Sequence, residues 1–260
     1  MKVKRDGFML FEKKEMLQCL RNVSVRCKDF NYSMFDLPLL NLAEVLAVYG
    51  GLCGLLYVGT DGFYREAPFL NSIPTLSLTI LTLTLRVKGT IKLLTSLTFL
   101  VLAFSVYLYS SQWHNNLQTV CALFTIAHIS YILSFILSLR RLWFGCAVVV
   151  ITYVIAFLYF CFVDLFWSIP ILVLNFCLLF MTLATSVISA GSIWHYGSKR
   201  ENAEQQAALL RFLGLLSFMA YVSLLLLNRF GNRIDRSNYI SILLFCIGQL
   251  LLFIANARAF

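Results

Sequence analysis

Charge is scarce in this chain. Asp, Glu, Lys and Arg make up only 13% of its 260 residues, against 60% apolar ones. A soluble domain carries about 25% charged residues, so a water-solvated catalytic module of this size is excluded. Acids are the rarer sign, with 12 Asp and Glu beside 21 Lys and Arg, and there are only 3 His and 4 Pro. The 8 cysteines contain no CxxC pair, which removes the usual zinc and redox spacings. Most of them (Cys53, Cys121, Cys146, Cys161, Cys177, Cys246) fall inside apolar runs and read as small packing residues. No metal or cofactor is expected. The start, Met1 to Asp6, is charged, and no apolar run follows before Leu37, so no cleavable signal peptide is expected.

What the chain has in abundance is long apolar sequence. Eight runs cover Leu37–Gly59, Pro68–Leu85, Ile91–Tyr109, Leu117–Leu139, Leu142–Phe162, Ile169–Ile188, Ala207–Leu227 and Tyr239–Ala255. A helix needs about 20 apolar residues to cross about 30 Å of hydrocarbon. The predicted fold class is therefore all-α: a polytopic membrane protein with eight transmembrane helices. The connections are short, so neighbouring spans form antiparallel hairpins. Residues 37–260 make one membrane domain, preceded by a basic tail, 1–36.

Basic residues set the expected orientation. With the tail in the cytosol, all Lys and Arg except Arg65, Arg229, Arg233 and Arg236 fall on inner segments. That excess predicts cytosolic amino and carboxyl termini. It also accounts for the +9 net charge without a nucleic-acid partner. Two sequons, at Asn22 and Asn31, then lie in the cytosolic tail and stay unused. The mixture of Lys13, Lys14, Arg21 and Arg26 with Phe8, Phe11, Leu17 and Leu20 suits either an interfacial helix or a partly ordered tail. Glu201 to Arg211, read as an inner segment, has helix-forming composition leading into the seventh span.

Polar groups within the spans are few: Asn41, Glu44, Asn71, His128, Asn175, Asn228 and Gln249. An ionisable side chain at mid-bilayer costs roughly 2.5 kcal/mol or more on insertion scales, so it marks either a satisfied structural contact or a site. His128 lies near the midplane of the fourth span, with Tyr131 one turn on. Glu44 is the one carboxylate well inside the first span, read either as a structural acid or as a partner for His128. Gly50, Gly51 and Gly54 on that span suit close helix approach.

The segment Phe124-Thr125-Ile126-Ala127-His128-Ile129-Ser130-Tyr131 through Phe135 resembles the FxxxHxxYxxxF span of the lysoplasmalogenase (YhhN-like) membrane proteins. Leu224 to Phe230, ending Leu227-Asn228-Arg229-Phe230, resembles their LLxLN(K/R)F. Cys246 to Leu251 resembles their AQxLI segment. Asn71 followed by Pro74 stands where that family has Lys followed by Pro. The family pattern also has an Asp near the outer end of the third span, where this chain has Tyr109 and Ser110, and a second Asp at the position of Val222. Three charged positions are thus neutral here, while His128, Tyr131, Asn228 and Gln249 are kept.

The resemblance implies hydrolysis of the vinyl ether bond of a lysoplasmalogen, releasing a fatty aldehyde and a glycerophospho-alcohol. It implies His128, with Glu44 as a relocated acid, as catalytic residues. It also implies Asn71, Tyr109, Tyr131, Asn228 and Gln249 as substrate-binding residues around one pocket in the outer half of the bundle. Protonating the alkene carbon requires an acid and a base to orient water, and the family's acids are missing. A family member that has lost its chemistry and binds lysolipid or a protein partner is the alternative. The lipid is the expected partner in either case, and the endoplasmic reticulum the expected membrane.

Overall fold

The computed structural model describes residues 42–63, 67–85, 89–111, 117–163, 165–198, 202–230 and 237–259. The predicted basic tail and both sequons lie outside these. Two units are distinguished: Met1–Glu44, and Val45–Phe260.

Every regular element among the described residues is helical. The α-helices are α1 (Leu42–Gly59), α2 (Pro68–Thr84), α3 (Gly89–Ser110), α4 (Leu117–Phe135), α5 (Phe144–Phe162), α6 (Pro170–Tyr196), α7 (Asn202–Phe230) and α8 (Ser237–Ala259), with a 3-10 turn at Ile136–Ser138. Six of them, α3 to α8, contain a stretch long and apolar enough to cross a membrane. The chain is an integral multi-pass membrane protein. The two shorter helices, α1 and α2, are 18 and 17 residues long, about 26 Å at 1.5 Å per residue.

Local chemistry sets the helix limits. Pro68 and Pro170 open α2 and α6 at the first turn, where their missing N–H has no intrahelical role. Gly197, at φ +86°, closes α6 with a backbone that a side chain would resist. Serine and threonine hydroxyls inside the spans turn back onto carbonyls three or four residues earlier, as Thr82 does to Leu78 at 2.7 Å. The hydroxyl is thereby satisfied without water.

In the second unit, α2, α3, α4, α6, α7 and α8 close a ring, each packing on the next and α8 returning to α2. α5 packs outside the ring against α6 and α7, and much of its surface, including Val148, Val149 and Ile155, is exposed. α1 also lies outside the ring. Its buried residues, Val45, Tyr49 and Leu56, recur at helical spacing, and the Tyr49 hydroxyl donates to the Cys246 carbonyl at 3.0 Å.

The closest seam is α7 on α8. A Cβ at Gly214 would stand 3.1 Å from the Gly248 carbonyl oxygen, and one at Gly248 would stand 3.2 Å from that of Gly214. These two glycines bring backbones together as small residues do between membrane helices. Gly50, Gly51 and Gly54 do not: nothing lies within 4 Å of a Cβ built at any of them. The expectation of close approach on α1 is corrected, because the packed stripe of that helix is the opposite one.

A second correction concerns the basic end of the bundle. The segment 189–211 was expected to lie on the inner side with helix only from Glu201; α7 does run unbroken from Asn202, but α6 also continues past Ile188 to Tyr196. Arg211 is fully buried. Its Nε and Nη2 donate to Asn256 Oδ1 at 3.2 and 3.0 Å, and its guanidinium lies 5.1 Å from the Phe135 ring centre. Asn256 Nδ2 donates in turn to Thr95 Oγ1 at 3.2 Å. A side chain counted as a loop charge thus cross-links α3, α4, α7 and α8.

Candidate functional site

At the opposite end of the ring, the helices splay around a cavity of about 270 Å³. Its mouth is formed by helix ends: Asn71 on α2, Ser110 on α3, Leu117 on α4, and Asn228 and Arg229 on α7. Its floor, about one turn deeper on α2 and α3, includes Thr75, Val106, Phe245 and Gln249. Leu56 of α1 closes one side.

The loop after α1 brings an aromatic ring to the mouth. Asp61, Gly62 and Phe63 all have positive φ, at +50°, +74° and +69°. Thr60 Oγ1 fixes the turn by donating to Leu56 O at 2.7 Å and accepting from Phe63 N at 3.1 Å. A bulky residue in the left-handed region is held there against its own preference. The Phe63 ring packs on Tyr57 and Tyr239 with centroids 5.4 and 5.7 Å away. Both tyrosines are nearly half exposed, as residues of an interfacial aromatic belt are.

Four of the five expected binding residues meet here. Asn71, Tyr109, Asn228 and Gln249 all line the cavity. Asn71 Nδ2 donates to Ser110 Oγ at 2.8 Å, joining α2 to the end of α3. Gln249 is fully buried, and its Oε1 accepts from Thr75 Oγ1 at 2.9 Å. Val222 is buried between the lining residues Tyr221 and Leu225 of α7. Pro74, also in the lining, removes one rung from α2 at this level.

The fifth, Tyr131, lies elsewhere. It is fully buried, its hydroxyl is 3.5 Å from the Leu252 carbonyl, and it sits beside Arg211. It belongs to the polar network at the basic end. The reason is geometric: His128 and Tyr131 are about 5 Å apart along α4, and that turn carries Tyr131 away from the cavity.

His128 is fully buried as well. Phe218 meets its ring edge to face, with centroids 5.0 Å apart. Phe218 also contacts Tyr221 and Phe245, both of which line the cavity. An aromatic partition therefore stands between the imidazole and the pocket. Neither ring nitrogen has a hydrogen-bond partner among the described residues, an arrangement that normally calls for an explanation in a buried site. Glu44, in the first unit, is exposed in the first turn of α1.

Sequence reading missed Arg229 as a pocket residue because it served there as a loop charge and a motif letter. Tyr221 was missed too, although it adjoins Val222. Among the described lining residues the polar groups are amides, hydroxyls and one guanidinium. Such a set binds and orients oxygen-rich groups.

The fold and pocket define a multi-pass helical membrane protein with a polar cavity opening at one end of its bundle. The YhhN family model matches residues 67–256, which takes in all but the first helix, and the chain belongs to that family. No curated protein and no solved structure matches it.

Proposed function

We propose that this protein binds a lysolipid, lysoplasmalogen or a close relative, with its polar part in the cavity, and that it does so without efficient vinyl ether hydrolysis. The observation that carries the reading is the convergence of Asn71, Ser110, Asn228 and Gln249 on one cavity, since these are positions the family resemblance marks. A volume near 270 Å³ is just under the range of about 300–1,000 Å³ for drug-sized ligands. It suits a head group, leaving the hydrocarbon chain to the bilayer. The amides and hydroxyls of the lining favour binding over chemistry, because vinyl ether cleavage needs a proton donor and a base. Eight spans, cytosolic termini and an endoplasmic reticulum membrane complete the reading, and they put the cavity at the lumenal face.

A second reading, hydrolase activity, is favoured by His128. Its two bare nitrogens offer a proton donor and an acceptor one ring away from the pocket. The deciding experiment measures fatty aldehyde released from a lysoplasmalogen by purified protein in detergent, with His128→Ala and Glu44→Gln alongside. The binding reading expects no release above the protein-free background, together with a ligand-raised melting temperature. Release that vanishes in either variant supports the hydrolase instead.

A further inference from the structure

The two ends of the cavity differ in chemistry, and the difference identifies which parts of a lysolipid are read; the inference rests on the binding role proposed above. At the mouth, Arg229 is exposed one residue before the end of α7 and lines the cavity. Its planar, permanently charged fork matches phosphate oxygens in a way a neutral donor does not. At the floor, Gln249 is held by Thr75 through Oε1, which fixes the plane of the amide. Its Nε2 has no hydrogen-bond partner among the described residues although the side chain is fully buried.

A buried N–H without an acceptor is costly in a protein interior and more so in hydrocarbon. A ligand oxygen at the floor relieves that cost, so the amide rewards a ligand that brings one. From Ser241, in the lining near the start of α8, to Gln249 is about 12 Å along the helix. The long Arg229 side chain and a glycerol unit bridge such a span.

We infer that the cavity is a two-point reader of lysophospholipids. Arg229 binds the phosphate at the mouth, and Gln249 Nε2 donates to the oxygen that joins the hydrocarbon chain to glycerol. Arg229 separates phosphorylated amphiphiles from neutral ones. Gln249 reads the glycerol oxygen at that position, an ether in a chain-bearing ligand and a hydroxyl in the bare head group, while the chain adds apolar contact that the bare head group lacks.

The test uses the full protein purified in a maltoside detergent and three probes. These are a 1-alkyl lysophosphatidylcholine, the 1-alkylglycerol of the same chain, and glycerophosphocholine. Dissociation constants are measured for the wild type, Arg229→Gln, Gln249→Met and Gln249→Leu, each checked for an intact melting transition without ligand. The wild type is expected to bind the lysophospholipid at least about tenfold more tightly than either other probe, the scale of one charge-assisted hydrogen bond. Arg229→Gln should erase the preference over alkylglycerol. Gln249→Met keeps the length of the side chain but loses the donor, and should weaken both chain-bearing probes about tenfold while their ratio stays. Gln249→Leu should do the same.

If the wild type binds the lysophospholipid and all three variants match it, the two-point reader is wrong and the binding role stands. Gln249 variants that leave the affinity for both chain-bearing probes unchanged also overturn the reader, since the linkage oxygen would then contribute nothing. If the wild type binds none of the probes, the binding role itself fails.

Discussion

Asn71 and Ser110 share a hydrogen bond of 2.8 Å between α2 and α3 at the mouth of the cavity. By the family resemblance the first position stands at a Lys, and the second falls with Tyr109 in the region of an Asp. Both residues are neutral here, so the contact carries no charge. Arg229 is the single cation among the described lining residues of the cavity.

The pair should therefore behave as a unit. Asn71→Lys or Ser110→Asp alone places an unmatched charge in a half-buried contact and should lower stability by about 1–3 kcal/mol. The double variant should recover most of the loss, with a coupling of about 1–2 kcal/mol. Thermal melting of the four proteins in one detergent closes the cycle. Strictly additive losses would mean that the two side chains do not communicate.

The glycines divide into two classes with opposite expectations. Gly214→Ala or Gly248→Ala drives a methyl into the facing backbone and should cost about 1–3 kcal/mol. Gly50→Ala, Gly51→Ala and Gly54→Ala meet open space and remove a poor helix former, so each should be neutral or stabilising by up to about 1 kcal/mol. Melting temperatures of the five variants give the comparison directly.

At the basic end, Asn256→Leu takes from Arg211 the oxygen that accepts two of its hydrogens and should destabilise by about 2–4 kcal/mol. Arg211→Met combined with Asn256→Leu should be milder than Asn256→Leu alone, because no guanidinium is then left short of an acceptor. A double variant that is worse than the single one would contradict the role given to this network.

His128 makes no hydrogen bond among the described residues, so His128→Leu forfeits packing against Phe218 but no polar contact. Stability should change by less than about 1 kcal/mol, and lysolipid affinity should hold because the Phe218 partition stands between the ring and the cavity. A loss of several kcal/mol would reveal a polar partner.

Much of this was legible in the sequence. Apolar length fixed the helices closely; Pro68 and Leu117 begin α2 and α4 as expected. Of the five residues the motifs singled out for binding, four line one cavity. What escaped depends on rotation and on partners. A membrane helix is apolar around its whole circumference, so nothing in the α4 sequence says that His128 and Tyr131 turn away from the pocket. Arg211 was hidden by the assumption that a charge marks a loop; only the facing Asn256, Thr95 and Phe135 make its burial tolerable. The glycine error had the same origin, since Gly50 and Gly54 have the spacing of a packing motif but face away from the bundle.

The most direct test of the lysolipid site is photocrosslinking. A lysophospholipid with a diazirine near the start of its chain would be irradiated with the purified protein and the adducts mapped by mass spectrometry. Adducts should concentrate on cavity residues such as Val106, Val120 and Leu225, and excess unlabelled lysophospholipid should remove them. Adducts confined to exposed α5 positions such as Val148 and Ile155, unaffected by competitor, would mean that the lipid merely coats the bundle and the cavity is not its site.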